Sequence, residues 1–211
     1  MLFKDRQDAG TLLIDGLRAY CQKPVCVIGL ARGGVVAAAS VVHELQLPLD
    51  VLVIKKLSSE RSPEFAIGAI APDVVSVVHW KDAQRAGFDE VSMKRLIAER
   101  STQVKRDMAR YRKRKKPIDV TDKTVILVDD GAATGASMEA AVLWARKKRA
   151  RRIIVALPVA PNDVIARLRP EVDGVTVLTP VDQFESVGSY YKSFPQVADT
   201  EVVQLLEGST L

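Results

Sequence analysis

The stretch from Val125 to Ser137 constrains the fold of this chain more than any other. Four apolar residues, Val125 to Val128, lead directly into two adjacent carboxylates, Asp129 and Asp130. An unbroken apolar run of this kind is typical of a parallel strand that is covered on both faces. Small residues follow, and a helical pattern opens near Gly135. The segment therefore predicts a strand, a tight loop and a helix in immediate succession.

The same stretch suits a phosphorylated sugar. Small loop residues let backbone N–H groups approach an anion closely, and the positive end of the following helix points at the same place. The two carboxylates come at the carboxyl end of the strand, where open α/β sheets bind their ligands. Carboxylates bind phosphate poorly but accept hydrogen bonds well from vicinal sugar hydroxyls. The alternative is an Asp-Asp turn between a strand and a helix that binds nothing.

The rest of the chain alternates between strand and helix patterns. Strands are predicted at 25–30, 50–54, 65–70, 74–78, 125–128, 153–158 and 175–178, and helices at 8–20, 35–45, 89–114, 136–148, 162–168 and 200–206. This alternation predicts an α/β fold with a mostly parallel twisted sheet and helices on both faces. A small hairpin crosses Ala71-Pro72-Asp73, and residues 58–63 are predicted to be a mobile loop.

A single domain over residues 1–211 is expected, because no linker is long enough to separate two. Its core covers about 21–180, and the N-terminal helix and residues 181–211 could form a hood. The long inserted helix, 89–114, carries one narrow apolar stripe on an otherwise charged surface. Such a stripe packs either on the domain body or on a second copy of the chain, and the second case would make a homodimer.

Composition points to a cytoplasmic protein. No apolar stretch approaches the ~20 residues of a membrane span, and the N-terminus lacks the apolar core of a signal peptide. Two cysteines, Cys21 and Cys26, are too few for a disulfide framework. His43 and His79 are isolated in the sequence, and no Cys/His cluster has the spacing of metal ligands.

The net charge of +5 is unevenly distributed. Residues 105–116 contain eight basic residues and one acidic residue, and residues 146–152 contain six basic residues. Both runs can be solvated helix ends, where cations favour the helix dipole. They can also form a surface for nucleic acid or another polyanion. The first interpretation is favoured, because aromatic residues are not interleaved with the basic ones.

The segment from Val125 to Ser137 resembles the phosphoribosyl pyrophosphate loop of type I phosphoribosyltransferases. The resemblance implies that Asp129 and Asp130 hold the two ribose hydroxyls. It also implies that the ribose phosphate is cradled by the loop residues Gly131, Ala132, Ala133, Thr134, Gly135, Ala136 and Ser137. Gly131 and Ala132 replace the branched apolar residues usual in the family, which predicts a more mobile loop.

Ala133 bears on the acceptor that the resemblance implies. The 6-oxopurine members of the family carry an acid at this place, whereas the adenine enzymes carry an alanine, as this chain does. This argues against hypoxanthine or guanine as the acceptor. No other match to the adenine enzymes is apparent, so the acceptor stays open.

A second loop, Ala31-Arg32-Gly33-Gly34, also follows a strand and precedes a helix. Glycines there expose backbone N–H groups to an anion. The resemblance implies that Ala31, Arg32 and Gly33 bind pyrophosphate, together with Lys55 or Lys56 at the end of the next strand. Adjacent strand residues point to opposite faces, so one lysine faces the site, and the pattern leaves open which.

Two further segments match the family in position. Residues 57–64 correspond to its flexible lid, in which Arg61 could neutralise the departing pyrophosphate; the alternative is a surface loop without function. Residues 184–194 correspond to the base-binding segment. Its candidates for stacking on a planar acceptor are Phe184, Val187, Tyr190 and Tyr191. The alternative is that these aromatic residues only pack against the C-terminal helix.

Taken together, residues 3–207 resemble a group of uncharacterised type I phosphoribosyltransferases. The shared stretches are Phe3 to Gly10, Arg32 to Gly34, Asp129 to Gly131 and Val187 to Tyr191. The resemblance implies a magnesium-dependent transferase that moves a phosphoribosyl group to a nitrogenous base or similar acceptor and releases pyrophosphate. Magnesium would be held mainly by the substrate, with Asp129 and Asp130 as candidate protein ligands.

A rival hypothesis is a non-catalytic regulator. It would bind phosphoribosyl pyrophosphate or a nucleotide and present the two basic runs to nucleic acid. Different chemistry on the same phosphate-binding fold is a third possibility, because a fold does not determine a function.

Overall fold

A five-stranded parallel sheet forms the centre of the molecule. The computed structural model describes residues 1–59, 62–113 and 115–209. The strands of this sheet are β1 (Val25–Leu30), β2 (Leu49–Leu52), β6 (Thr124–Val128), β7 (Arg152–Pro161) and β8 (Gly174–Val181), in the order β2-β1-β6-β7-β8. Strands β1, β2 and β6 are buried at every position, as expected for a sheet covered on both faces. The predicted fold class is confirmed.

Helices cover both faces of this sheet. They are α1 (Arg6–Leu17), α2 (Gly33–Leu45), α3 (Trp80–Arg85), α4 (Glu90–Arg112), α5 (Ala136–Lys147), α6 (Asn162–Leu168) and α7 (Asp199–Gly208). One apolar cluster joins the sheet to α1, α2, α4 and α7, and another joins it to α5 and α6. Helix α3 was not predicted, because its six residues bury one side chain, Ala83, and leave no periodic pattern to detect.

Helices α1 and α2 approach each other closely at Gly10. A Cβ added at Gly10 would lie 2.3 Å from the carbonyl oxygen of Ala37 and 2.9 Å from its Cα. These are backbone atoms, which cannot rotate away as a side chain can. The crossing of the two helices therefore requires glycine at this position.

A second, antiparallel sheet has the strand order β3-β4-β5. Its strands are β3 (Lys55–Ser59), β4 (Ser62–Ala71) and β5 (Val75–Val78). The predicted hairpin is confirmed, with a short turn at Pro72–Val74 between β4 and β5.

The prediction of a loop over residues 58–63 is wrong at both of its ends, because β3 continues to Ser59 and β4 begins at Ser62; residues 60 and 61 lie outside the described residues. Lys55 and Lys56 begin β3 and do not end β2. Strand β3 is short and mostly polar, and its pairing with β4 is irregular, so it lacks the alternation by which a strand is recognised.

The apolar stripe of α4 packs against the body of the same chain. Met93, Val104, Met108 and Tyr111 are all buried, and they share an apolar cluster with Leu57 of β3. The helix begins with a capping box between Asp89 and Ser92. The first of the two alternatives for the stripe is therefore the one that the structure shows.

Many residues of the two basic runs form ion pairs within the chain. Arg112 Nη2 lies 2.8 Å from Asp50 Oδ2 of β2, and Lys113 Nζ lies 2.7 Å from Glu207 Oε1 of α7. In the second run, Lys148 Nζ lies 2.8 Å from Asp73 Oδ2. These contacts fasten helix ends to neighbouring elements and support the structural interpretation of the basic runs.

Two expectations from composition can be compared with the structure. Cys21 and Cys26 are both free thiols, and burial raises the pKa of Cys26 to about 11. Over the described ranges, none of the helices combines the length and the apolar character needed to cross a membrane.

Candidate functional site

The two predicted anion-binding loops lie side by side. Strands β1 and β6 are paired neighbours, with Gly29 opposite Val128, so the loops that follow them meet at one edge of the sheet. A Cβ at Gly33 would lie 1.8 Å from Asp130 Oδ2, and one at Gly34 would lie 2.6 Å from the Val128 carbonyl oxygen. The two glycines therefore make room for the carboxylates.

Asp129 and Asp130 have different environments. Asp129 Oδ1 accepts a hydrogen bond from the Asp130 backbone N–H at 2.9 Å. Burial, and after it the negative charge of Asp130, raises the pKa of Asp129 well above its ordinary value. The nearby charge of Lys56 acts in the opposite direction and lowers it.

The structure distinguishes the two lysines that the sequence left open. Lys55 points toward helix α4, where its Nζ lies 2.6 Å from Asp107 Oδ2. Burial is the largest influence on Asp107 and opposes its ionisation, but the hydrogen bonds and charges of Lys55 and Arg106 together outweigh it and lower the pKa of this carboxyl. Lys56 lies on the opposite face of the strand and is the lysine whose charge reaches Asp129.

The raised pKa of Asp129 predicts that this residue destabilises the free protein at neutral pH. Asp129→Asn should raise the free energy of unfolding by about 1 kcal/mol and the melting temperature by about 2–4 °C. When the pKa of an acid is higher in the folded state than in the unfolded state, the protein loses stability as pH rises. The loss begins near the unfolded-state pKa, about 4, and continues through the folded-state pKa. The gain should therefore be small near pH 4, grow with pH, and level off once folded Asp129 is ionised.

Thermal unfolding at pH 4.5 and pH 8, without ligand, would measure this effect. Asp15→Asn is a matched control, because Asp15 is 95% exposed on the surface of α1. An Asp129→Asn variant that unfolds below the wild type at pH 8 would contradict the prediction.

Asp130 is held by a residue that the sequence did not assign to the site. Arg6, at the start of α1, donates from Nε to Asp130 Oδ2 at 2.6 Å. The hydroxyl of Tyr191 donates to the Asp130 carbonyl oxygen at 2.6 Å. Arg6 is 8% exposed. The one available signal was that Arg6 lies within the shared stretch from Phe3 to Gly10.

The loop between β6 and α5 is packed along its first half. The N–H of Ala132 donates to the Val159 carbonyl oxygen at 3.0 Å. A Cβ at Gly131 would lie 2.7 Å from Val187 and 2.9 Å from Val159. The greater mobility expected from Gly131 and Ala132 is not supported, because these neighbours fill the space that branched side chains would take.

The second half of the loop leads into helix α5. Ala133 is exposed and Thr134 is half-buried. Gly135 takes a left-handed conformation with φ of +82° and caps the helix, which begins with Ala136 and Ser137. The N-terminus of α5 therefore faces the loop, as an anion site requires.

A series of polar contacts links this loop to α6, to α5 and to the residue after β5. Arg167 of α6 donates from Nη2 to the Thr134 carbonyl oxygen at 2.6 Å. Its Nε lies 3.2 Å from Glu139 Oε1, and Glu139 Oε2 lies 2.8 Å from His79 Nε2. His79 is isolated in the sequence, and its partner lies 60 positions away, so this contact was not predicted. These contacts connect the end of β5 to the loop between β6 and α5.

The Arg32 side chain is directed toward helix α7. Arg32 Nη1 lies 3.7 Å from Asp199 Oδ1, and Tyr111 donates its hydroxyl to the same carboxylate oxygen at 2.6 Å. The Tyr111 hydrogen bond leads the causes that lower the pKa of Asp199. The peptide bond between Ala31 and Arg32 is cis. Arg32 and Lys55 thus each have a carboxylate partner within the chain.

The aromatic segment packs against the N-terminus of the chain. The ring centroid of Tyr191 lies 5.2 Å from that of Phe3 and 4.8 Å from that of Phe194, and Tyr191 is buried. Phe184 and Tyr190 are half-buried and stack at 5.8 Å. The cluster contains Phe3 and Ala9 of the N-terminal segment, so these aromatic residues pack there and not on the C-terminal helix; their contact with an acceptor stays a prediction.

The lid and the metal ligands remain to be placed. Arg61, the lid residue proposed to neutralise pyrophosphate, lies outside the described residues. Within the described ranges, no group of three or more His, Cys, Asp or Glu side chains is arranged to hold a metal ion.

The chain belongs to the phosphoribosyl transferase domain family, whose sequence model matches residues 5–192. Relatives from two strains of Mycobacterium tuberculosis, both provisionally named phosphoribosyl transferases, are 38% identical to it over 206 residues. The match covers 98% of this chain and 46% of each relative, so the chain spans about half the length of these relatives.

A solved structure confirms the fold. The crystal structure of TT1426 from Thermus thermophilus is similar to this chain with a TM-score of 0.81 and 36% sequence identity. The similarity covers 98% of each chain. The resemblance noted in the sequence is therefore confirmed at the level of family and fold.

Proposed function

We propose that this chain is a phosphoribosyltransferase that uses phosphoribosyl pyrophosphate and magnesium. It transfers the phosphoribosyl group to a nitrogenous base or similar acceptor and releases pyrophosphate. The observation that carries the proposal is the adjacency of two loops at one edge of the sheet. One loop carries Asp129 and Asp130 before the N-terminus of α5, and the other carries Gly33 and Gly34 within contact distance of those acids.

In this proposal Asp129 and Asp130 orient the ribose. Their free carboxylate oxygens accept hydrogen bonds from the vicinal hydroxyls, and the backbone N–H groups of residues 132–137 bind the ribose phosphate. The helix N-terminus contributes favourable electrostatic potential there. Arg167, through the Thr134 carbonyl oxygen, keeps the loop in shape for this anion. Positioning of this kind accounts for much of the rate when no covalent intermediate forms.

The departing pyrophosphate requires positive charge. Lys56 is the lysine whose charge lowers the pKa of Asp129, and we assign it to this role together with the Ala31-Arg32-Gly33 loop. Arg32 is 3.7 Å from Asp199, a weak contact that an incoming pyrophosphate could replace. As the bond breaks, the ribose becomes oxocarbenium-like and negative charge develops on the leaving pyrophosphate. Stabilising that negative charge is the main catalytic task.

Magnesium fits this site if the substrate supplies most of its ligands. Asp130 Oδ2 is taken by Arg6, and Asp129 Oδ1 already accepts a backbone hydrogen bond, so the acids offer few oxygens. Mg²⁺ commonly binds through one or two carboxylates plus substrate phosphates. When bound, it would neutralise charge on the diphosphate. We place no other protein ligand around it.

The acceptor would lie near the aromatic segment. Phe184, Tyr190 and Val187 are half-buried and can offer a face to a planar ring. Tyr191 is enclosed by Phe3 and Phe194, so we assign it to support of Asp130 instead of contact with the acceptor. Ala133 is exposed at the loop and brings no acid to a purine edge.

Calorimetric titration with phosphoribosyl pyrophosphate, with and without magnesium, tests the proposal first. We expect saturable binding that strengthens with magnesium. A screen of nitrogenous bases for pyrophosphate release then identifies the acceptor. No binding under either condition would overturn the proposed substrate. Tight binding without pyrophosphate release from any base would overturn the catalytic part alone.

A further inference from the structure

Arg6 makes three directed contacts from a buried position. Its Nε donates to Asp130 Oδ2 at 2.6 Å, and its Nη1 donates to the Pro195 carbonyl oxygen at 2.7 Å. The guanidinium carbon lies 3.6 Å from the centre of the Phe194 ring, within the range of a cation–π contact. Asp130 and Pro195 belong to different parts of the chain, and Arg6 joins them.

The surrounding backbone is built around this arginine. The N–H of Phe3 donates to the Tyr190 carbonyl oxygen at 2.9 Å, and the N–H of Lys192 donates to the Phe3 carbonyl oxygen at 2.8 Å. We call residues 3–6 and 190–195 the terminal clasp. Tyr191 adds its hydroxyl to the carbonyl oxygen of Asp130. The clasp therefore contacts Asp130 twice, once at the carboxylate and once at the backbone.

The ion pair defines which part of Asp130 is available to a ligand. Oδ2 is engaged by the guanidinium, while the site leaves Oδ1 as the acceptor. A charge-assisted hydrogen bond to a planar guanidinium also fixes the plane of the carboxylate. Gly33 contributes by having no Cβ, since one would lie 1.8 Å from Oδ2 and 2.7 Å from Arg6 Nε.

Burying an arginine is costly unless it is paired, and a buried ion pair often gives little net stability over apolar packing. Its position against a candidate ligand-binding acid therefore points to a role in the site. We propose that Arg6 is a positioning residue of the ribose site. It restricts the orientation of the Asp130 carboxylate so that Oδ1 faces a ribose hydroxyl, and it withholds Oδ2 from direct contact with a cation. The inference rests on the proposed function of Asp129 and Asp130.

The test compares two ligands in Arg6→Gln and Arg6→Lys. Phosphoribosyl pyrophosphate needs the ribose acids, whereas inorganic pyrophosphate does not. With magnesium present, Arg6→Gln should bind phosphoribosyl pyrophosphate about 10- to 30-fold more weakly and pyrophosphate within about twofold of the wild type. Arg6→Lys keeps the charge but not the pair of hydrogen bonds to Asp130 and Pro195. Its loss of affinity for phosphoribosyl pyrophosphate should therefore be smaller than that of Arg6→Gln. Arg18→Gln is the matched control, because Arg18 is exposed and pairs with the surface acids Asp15 and Glu44.

A double variant distinguishes positioning of Asp130 by Arg6 from general support of the fold by Arg6. If Arg6 acts through Asp130, adding Arg6→Gln to Asp130→Asn should cause less than a further threefold loss of affinity for phosphoribosyl pyrophosphate. Fully additive losses, an equal loss of both ligands in Arg6→Gln, or unchanged binding of both ligands would each overturn the inference. If Arg6→Gln does not fold, the same comparison is made in Arg6→Lys. A ratio of the affinities for phosphoribosyl pyrophosphate and pyrophosphate equal to that of the wild type would then overturn the inference.

The failure of the proposed function has a different signature. Wild-type protein that binds no phosphoribosyl pyrophosphate overturns that function and this inference together. Wild-type binding with no selective effect at Arg6 overturns the inference alone.

Discussion

Asp130→Asn is expected to weaken binding of phosphoribosyl pyrophosphate by about 10- to 100-fold, the scale of one lost charge-assisted hydrogen bond. The substitution keeps the shape of the side chain and removes its charge. The Arg6 guanidinium, 2.6 Å from Oδ2 and buried, is then left beside a neutral amide. That amide has one acceptor oxygen where the carboxylate has two, so it cannot keep an acceptor toward both the guanidinium and the ribose hydroxyl, and neither contact retains its charge.

Calorimetric titration with magnesium present measures this effect. Asp15→Asn serves as the control for loss of one negative charge, because Asp15 is 95% exposed and lies on the same helix as Arg6. Affinity in Asp130→Asn equal to that of the wild type would rule out Asp130 as a ribose ligand. Thermal unfolding of both variants separates a change in the site from a loss of the folded state.

Gly10→Ala should produce the largest loss of stability among single-methyl additions in the described part of α1. The new Cβ would be 2.3 Å from the Ala37 carbonyl oxygen, so α1 and α2 must separate. Overpacking of this kind costs about 1–3 kcal/mol, which corresponds to a fall in melting temperature of about 2–12 °C for a chain of this size.

Gly208→Ala is the matched control for this prediction. Gly208 lies at the end of α7, and a Cβ there would meet nothing within 4 Å. Alanine is a better helix former than glycine by up to about 1 kcal/mol, so this variant should be as stable as the wild type or slightly more so. If Gly10→Ala unfolds at the wild-type temperature, the close crossing of α1 and α2 is not a constraint.

The middle of the central sheet was predictable because two of its strands contain long apolar runs. Strands β1 and β6 were recognised from Val25 to Leu30 and Val125 to Val128, since burial on both faces leaves a continuous apolar run. Strand β3 has no such signature. It is formed by pairing with β4, a long-range contact that its own polar residues do not reveal.

The residues of the candidate site were likewise predictable where they are consecutive in the sequence and unpredictable where the fold brings them together. Asp129, Asp130 and the loop behind them are consecutive in the sequence, so their pattern could be read directly. Arg6 reaches Asp130 across 124 positions, and His79 reaches Glu139 across 60. Such pairs are formed by the fold and leave no local pattern. The choice between Lys55 and Lys56 likewise needed the helix that carries Asp107.

The contacts of the terminal clasp join residues that are synthesised at different times. Tyr191 follows Asp130 by 61 positions, and Pro195 follows Arg6 by 189. During synthesis from the N-terminus, the strands around Asp130 leave the ribosome well before the residues that hold its backbone. A nascent chain can therefore pair β1, β2 and β6 before Tyr191 is available to hold the backbone of Asp130. The contacts around Asp130 are complete only after Tyr191 and Pro195 have been translated.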